Sequence, residues 1–462
     1  MTTTGGTRPA GDVEAGPQRS AYERLVANRE GAFPEERPAY FSPGVATQDR
    51  TGNGVYGHFA QMLLPWEFTT WTEESSVHTK ACYIGDWSPL NKVRVSGPQA
   101  LAFLSWLGMN NLSKFELGQV KHSVQLDANG LVASEGILCR LGVEEFLYTA
   151  GSADWLRWQL GTGGWDAVAV DVSPDTFIFG VQGPTSLAVL ELAIGESLRD
   201  LRFNRSVVVD LCGMSVRVLR TGISGELGYE LHGPSAVGSA VWSLLLEAGA
   251  GHGIRQLGYR SQSVQHIESG IATNGLDYLP SSIVTPGAPT QFRQRPMMGS
   301  YVPSGVADFF RKPGELGWGG RAVGAHDFLG REALAADAAA GGPGRSLVGL
   351  VWDHADVAQV LGEGPFATEG PVDSMELPRY QGMSFDQVLM GDVGVGVSSG
   401  RSLSISVGET ISLSVLDREH TAPGTEVTVV WGRPGTPQRE IRATVSTLPF
   451  KPDNRRVDVT TL

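Results

Sequence analysis

Two ionisable side chains thirty residues apart, Glu230 and Arg260, have the setting that most suggests chemistry. Glu230 ends the stretch Val218-Leu-Arg-Thr-Gly-Ile-Ser-Gly-Glu-Leu-Gly-Tyr-Glu, a glycine-punctuated turn that runs into Tyr229, Glu230 and Leu231. A carboxylate between apolar neighbours is costly to bury unless something satisfies it. It is therefore either the grip for a ligand or one half of an internal ion pair, and Arg260 is the nearest partner that the sequence offers for the second reading.

The elements around this pair follow from pattern. Ala236 to Ala250 places Val237, Ala240, Val241, Leu244, Leu245 and Ala248 on one face, which predicts an amphipathic helix ending at Gly249 and Gly251. Phe177-Ile-Phe-Gly-Val-Gln-Gly-Pro184 reads as a strand closed by glycine and proline. Gln182 offers both a donor and an acceptor at its end. Val124 to Arg140 predicts a hairpin with its turn at Asp127 to Gly130 and with Glu135 on the returning strand.

In this order the motifs resemble the glycine-cleavage T-protein (aminomethyltransferase) superfamily, whose core reads Thr-Gly-x-Ser/Thr-Gly-Glu-x-Gly-(Tyr/Val)-Glu with an arginine about thirty residues on. The likeness runs from about Trp66 to Phe450 and includes Gln182-Gly-Pro184, Phe328-Leu-Gly-Arg-Glu-Ala-Leu334 and Gly394 to Gly400. It implies an α+β, three-domain T-protein-like (cloverleaf) architecture with a small C-terminal β-barrel. It also implies tetrahydrofolate as cofactor, with Glu230 on the pterin ring and Arg260 nearer the anionic tail. The chemistry agrees, because a pterin presents two N–H groups side by side and one carboxylate accepts both, while a guanidinium suits a carboxylate tail. Gln182, Tyr229 and Trp318 complete the cofactor residues that the resemblance suggests.

Three stretches look closest to the tetrahydrofolate-dependent aryl O-demethylases of the vanillate and syringate type: Arg260 to Gly270, Gly299-Ser-Tyr-Val-Pro-Ser304, and Phe309 to Trp318. Departures fall on substrate positions. The paired histidines of vanillate demethylases are replaced by Trp87-Ser-Pro-Leu90, their aryl-carboxylate arginine by the segment Ala150-Gly-Ser-Ala153, and their tyrosine after the arginine by Gln262. The Asp-Asp pair of T-proteins is here Ser134-Glu135, so only Glu135 keeps the charge. The expected reaction moves a methyl group from a small methoxy compound to N5 of tetrahydrofolate, without a metal. It needs an acid for the leaving oxygen, for which Glu135, Tyr259, Gln262 (as a hydrogen-bond donor) and His266 are the candidates. His78 and His252 read as packing or surface histidines. A T-protein-like aminomethyl or methylene transferase and a non-catalytic folate-binding module stay open as alternatives.

A chain of 462 residues predicts two to four domains. The expected division is an N-terminal extension over 1–55, disordered to about residue 18 with a short helix from Ser20 to Glu30, then α+β units over 56–170 and 171–335, and a barrel over 345–462. The net charge of −13 argues against a nucleic-acid partner. No signal-peptide pattern and no run of about 18 apolar residues is present, which predicts a cytoplasmic protein without a membrane span. Cys82, Cys139 and Cys212 have no zinc-like spacing and read as buried, reduced thiols. Nothing in the pattern bears on oligomeric state.

Overall fold

In the strand Gly228–Pro234, Tyr229 and Leu231 are fully buried, while Glu230 between them keeps some exposure. Period-two alternation produces this, because successive side chains of a strand point to opposite faces. The strand lies inside a six-stranded sheet whose order is Ser206–Leu211, Met214–Leu219, Gly228–Pro234, Thr176–Gln182, Tyr83–Asp86, Arg255–Leu257. One face packs on the helices Ser186–Ile194 and Gly238–Gly249, burying Val181, Phe179, Leu231, Leu190, Val241 and Trp242. The other face carries Glu230.

The computed structural model describes residues 17–27, 40–52, 54–60, 62–289, 297–319, 326–368, 370–378 and 382–462. A second, five-stranded sheet has the order Val120–Leu126, Val132–Arg140, Glu145–Ala150, Asn91–Ser96, Val168–Asp171, and packs on the helices Ala100–Leu107 and Asp154–Thr162. The two sheets join at their edges: the Ser206 amide donates to Gly118 O at 2.7 Å and the Val120 amide to Asn204 O at 2.9 Å. The sheets do not divide at the expected boundary. Tyr83–Asp86 precedes the first strand of the five-stranded sheet yet pairs with Thr176–Gln182 in the six-stranded one. Gly183 permits this close packing, since at φ +132° a Cβ there would lie 2.0 Å from Ala81 O.

From Arg345 the chain closes a six-stranded barrel, including a strand at Asp386–Met390 that the sequence pattern did not predict. The expected barrel domain also carries a helix, His354–Glu363, which Asp353 caps by accepting from the Ala355 and Asp356 amides. The N-terminal extension contains helices at Pro17–Ala27 and Val45–Thr51, the second not expected from the sequence. Residues 1–16 and 28–39 lie outside the described residues. Cys82 and Cys139 are buried, but Cys212 is exposed, because it occupies the hairpin turn after Ser206–Leu211 with φ +56°. No described helix is long and apolar enough to cross a membrane.

The helix Tyr259–Glu268 joins these parts. Every residue of it except Arg260 is buried, although six of those are polar or charged, so hydrogen bonds of Ser261, Gln262 and Glu268 add to the packing of Tyr259, Val264 and Ile267. At its end Glu268 lies 3.0 Å from His78 Nε2, both side chains being fully buried, and accepts from Ser404 Oγ of the barrel. The Phe450 amide donates to Glu268 O at 2.9 Å. Removing one partner of a buried pair strands the other, so Glu268→Ala should lower stability by about 3–5 kcal/mol in urea denaturation. Glu268→Gln, which keeps an acceptor for Ser404, should cost less.

Candidate active site

Cross-strand register sets the face of the six-stranded sheet that points away from the helices. Glu230 stands opposite Gly180, and Gly180 opposite Gly85; Gly228 stands opposite Gln182, and Gln182 opposite Tyr83. Opposed residues share a face, so Glu230, Gln182 and Tyr83 project to one side, and the glycines between them leave room that the side chains of Trp87 and Gln182 occupy. Glu230 Oε2 lies 3.2 Å from His232 Nε2, two residues along the same strand. The Glu230 side chain is 21% exposed and that of His232 only 4%. Tyr83 is fully buried. Burial outweighs a hydrogen bond with Ser224 and, helped by the charges of Glu230 and Glu268, pushes its pKa well above the ordinary value, so the phenol keeps its proton.

Gln182 is spent on structure as much as on display. Its Oε1 accepts from the Ser224 amide at 3.0 Å, and Gly222 and Gly228 press against its side chain so closely that a Cβ at either would come within 2.7 Å. It thereby pins the glycine loop that leads into Glu230. Glu226 in the same loop is held from the C-terminal segment by Lys451 Nζ at 2.7 Å and Asn454 Nδ2 at 2.8 Å.

Arg260 does not reach Glu230. Its Nη1 lies 3.2 and 3.3 Å from the two oxygens of Glu67, and its guanidinium sits 5.7 Å from the Trp71 ring centroid. The ion-pair alternative for Glu230 and Arg260 is thus absent, and each has its own neighbour. Glu67 also accepts from the Trp71 amide at 2.8 Å, which fixes the loop carrying Arg260's partner. Tyr229 faces the core, where burial raises its pKa to about 12, so alternation separates it from Glu230.

Of the candidate acids, Glu135 lies on the five-stranded sheet with Oε2 2.8 Å from His122 Nε2 on the neighbouring strand. Both side chains are about one-fifth exposed, at 19% and 23%. The Trp318 indole meets the His122 ring edge-on at 4.9 Å, and Tyr278 meets Trp318 in turn. Ser134, beside Glu135, has its hydroxyl 3.0 Å from that of Tyr148 and donates to Ser152 O at 3.2 Å. Ser134 also borders a polar void of about 10 Å³ lined by Asn274 and Ser282, room for one water. The other three candidates have different settings. Tyr259 packs between Phe59 and Trp66 at 5.6 and 5.9 Å; Gln262 donates through Nε2 to Asp86 O at 2.9 Å; His266 is buried with Nε2 3.3 Å from Asp277 Oδ2.

Set between the two sheets in sequence, Asp86-Trp-Ser-Pro-Leu90 is shaped by buried polar groups. Burial outweighs the hydrogen bonds to Asp86 and raises its pKa, although Ser42, Gln48 and the Ser88 amide all donate to the carboxylate. Lys92 donates to Ser88 O at 2.5 Å and Leu90 O at 3.0 Å, closing the turn from below.

The architecture is that of the glycine-cleavage T-protein fold: the solved aminomethyltransferase T of the glycine cleavage system from Bartonella henselae superposes with a TM-score of 0.68 at 20% identity, covering 90% of this chain and 98% of that one. Residues 46–284 match the family model described as the GCVT N-terminal domain, and the chain belongs to this family. A sesamin methylene transferase of Sinomonas sp. is 33% identical over 428 residues, 87% of this chain and 93% of the relative. A syringate O-demethylase of Sphingobium sp. is 31% identical over 435 residues, 87% and 92%. An aminomethyltransferase of Saccharopolyspora erythraea is 26% identical over 379 residues, 81% and 89%. The chain is accordingly an enzyme of one-carbon transfer.

Burial pushes the Lys92 ammonium down to about 7 from an ordinary value of 10.5. Between those limits the unfolded chain binds the extra proton, so this residue's contribution to stability rises with pH, by at most about 1.4 kcal/mol per pH unit. Denaturant titrations from about pH 7 to pH 10 should show that rise in the parent and not in Lys92→Met.

Proposed function

We propose that this chain moves a one-carbon unit from a small methoxy compound, an aromatic one, to N5 of tetrahydrofolate. The observation that carries the reading is the placement of Glu230: a partly exposed carboxylate on the sheet face that points away from the helices, next to the Trp87 ring seated at Gly85 and Gly180, with His232 Nε2 at 3.2 Å. That setting suits a flat heterocycle presenting two N–H groups, and the likeness to a sesamin methylene transferase and a syringate O-demethylase supports the reading. Tetrahydrofolate, when bound, supplies a nucleophilic nitrogen that accepts the carbon.

The remaining work falls to side chains of this protein. Glu230 accepts from the pterin N–H groups and fixes its orientation. Arg260, held against Glu67 and Trp71, lends its outer N–H groups to the anionic tail. When the carbon–oxygen bond breaks, its electron pair stays on the departing oxygen, which needs a proton near neutral pH. The Glu135–His122 pair is the acid we assign to it. Among the four acids that the sequence suggested, Glu135 alone combines partial exposure with an imidazole partner that can carry the proton. The proton released by the acceptor nitrogen balances the one consumed, so the net products are the methylated acceptor and a hydroxyl compound.

A second reading is favoured by the likeness to a sesamin methylene transferase: transfer at the methylene level from a methylenedioxy compound. Mass spectrometry of the folate after incubation with methoxy- and methylenedioxy-benzene donors separates the two. A 5-methyl product supports the first reading and a methylene product the second. Tight folate binding without any product would contradict both.

Glu230→Ala should weaken tetrahydrofolate binding at least about tenfold, because charge-assisted hydrogen bonds are lost, as read by calorimetric titration. Glu135→Gln and His122→Ala should instead leave that affinity nearly unchanged and lower kcat about 10²- to 10⁴-fold, as read by steady-state kinetics.

A further inference from the structure

Trp87, one of the residues by which the sequence departs from the vanillate-type pattern, stands on the same sheet face as Glu230. Its amide donates to Ile178 O at 2.9 Å, so the backbone extends the strand Tyr83–Asp86 by one step, and the indole folds back over that strand. There it lies on two glycines. A Cβ built at Gly85 would sit 2.2 Å from Trp87 Cζ3, and one at Gly180 would sit 3.0 Å from the same atom. The Tyr83 ring runs nearly parallel to the indole, with ring centroids 5.9 Å apart and an interplanar angle of 29°. Trp87 is nonetheless only partly buried.

These facts locate the ring relative to Glu230. Gly85, Gly180 and Glu230 are successive cross-strand partners, and strands lie about 4.8 Å apart. The indole covers the first two positions and Glu230 occupies the third. A rigid aromatic surface and a partly exposed carboxylate are therefore immediate neighbours on one sheet face. Two glycines are needed to seat an indole there, and burial alone does not account for a ring that keeps exposure beside a charge. Aromatic faces with an adjacent hydrogen-bonding group are how flat conjugated rings are held.

We propose that Trp87 is the stacking surface on which a flat conjugated ring lies while Glu230 accepts from its edge. Two sources carry that chemistry: the pteridine of tetrahydrofolate and the aromatic ring of the one-carbon donor. The assignment rests on the function proposed above for its identification of these sources, though not for the existence of the surface.

Calorimetric titration of Trp87→Ala, Trp87→Phe and Gly85→Ala with tetrahydrofolate, and separately with a methoxybenzoate and a methylenedioxybenzene, tests it. Loss of stacking should weaken at least one ligand by about ten- to a hundredfold in Trp87→Ala, with Trp87→Phe retaining most of the affinity. Weakening of tetrahydrofolate identifies the pteridine as the stacked ring; weakening of a benzene probe identifies the donor. Gly85→Ala keeps the indole but drives it from its seat, and should reproduce the loss of Trp87→Ala; thermal melts and Trp87→Phe guard against misfolding. Titrations of a folded Trp87→Ala that superimpose on the parent for all three ligands overturn the proposal. If the parent fails to bind tetrahydrofolate but binds a benzene probe in a Trp87-dependent way, the functional reading fails and the stacking surface stands.

Discussion

The two-residue period of one strand is the constraint on which the rest depends. In Gly228–Pro234 the side chains of Tyr229 and Leu231 enter a dry core against Trp242 and its helix, and this commits Glu230 to the opposite face. A slip of one residue would put the carboxylate among Phe179 and Val241 and expose the tyrosine, at a cost the core cannot meet. Register with the next two strands then places glycines beside Glu230, Gln182 beneath its loop and Trp87 above its floor. The site is thus a by-product of packing decided on the other side of the sheet.

The polar helix Tyr259–Glu268 transmits that arrangement to the rest of the molecule. Gln262 holds the Asp86 carbonyl next to Trp87, Ser261 donates to Glu74, His266 approaches Asp277, and Glu268 ties His78 to the barrel. Such a helix buries only Tyr259, Val264 and Ile267 as apolar side chains, so its position leans on these bonds as well. Arg260, its one partly exposed member, is also the one that leaves the bundle of internal contacts to face Glu67 and Trp71. The charge of Arg260 is thereby balanced before any anion arrives, which makes it an orienting group more than a bare attractor.

Much of this was legible in the residues. The hairpin around Asp127 to Gly130, the strand ending at Gln182, the amphipathic helix before Gly249 and most barrel strands follow from periodicity and turn chemistry. Glu230 was visible as an acid in an apolar run. Tyr229 was grouped with it, yet neighbours in a strand cannot share a face, and that rule was available from the sequence. His122 was overlooked for a related reason: it gains meaning only once the hairpin register sets it diagonal to Glu135, and a bulge between Gln125 and Leu126 obscures that register. The helix carrying Arg260 had no apolar stripe to announce it. Glu67 and Tyr83 act through contacts distant in sequence, which local pattern does not encode.

A crystal structure of the chain with tetrahydrofolate bound measures the central claim most directly. The account predicts the pteridine edge within hydrogen-bonding distance of the Glu230 carboxylate on the glycine-floored face. A bound pteridine elsewhere, with Glu230 still turned only to His232, would contradict it.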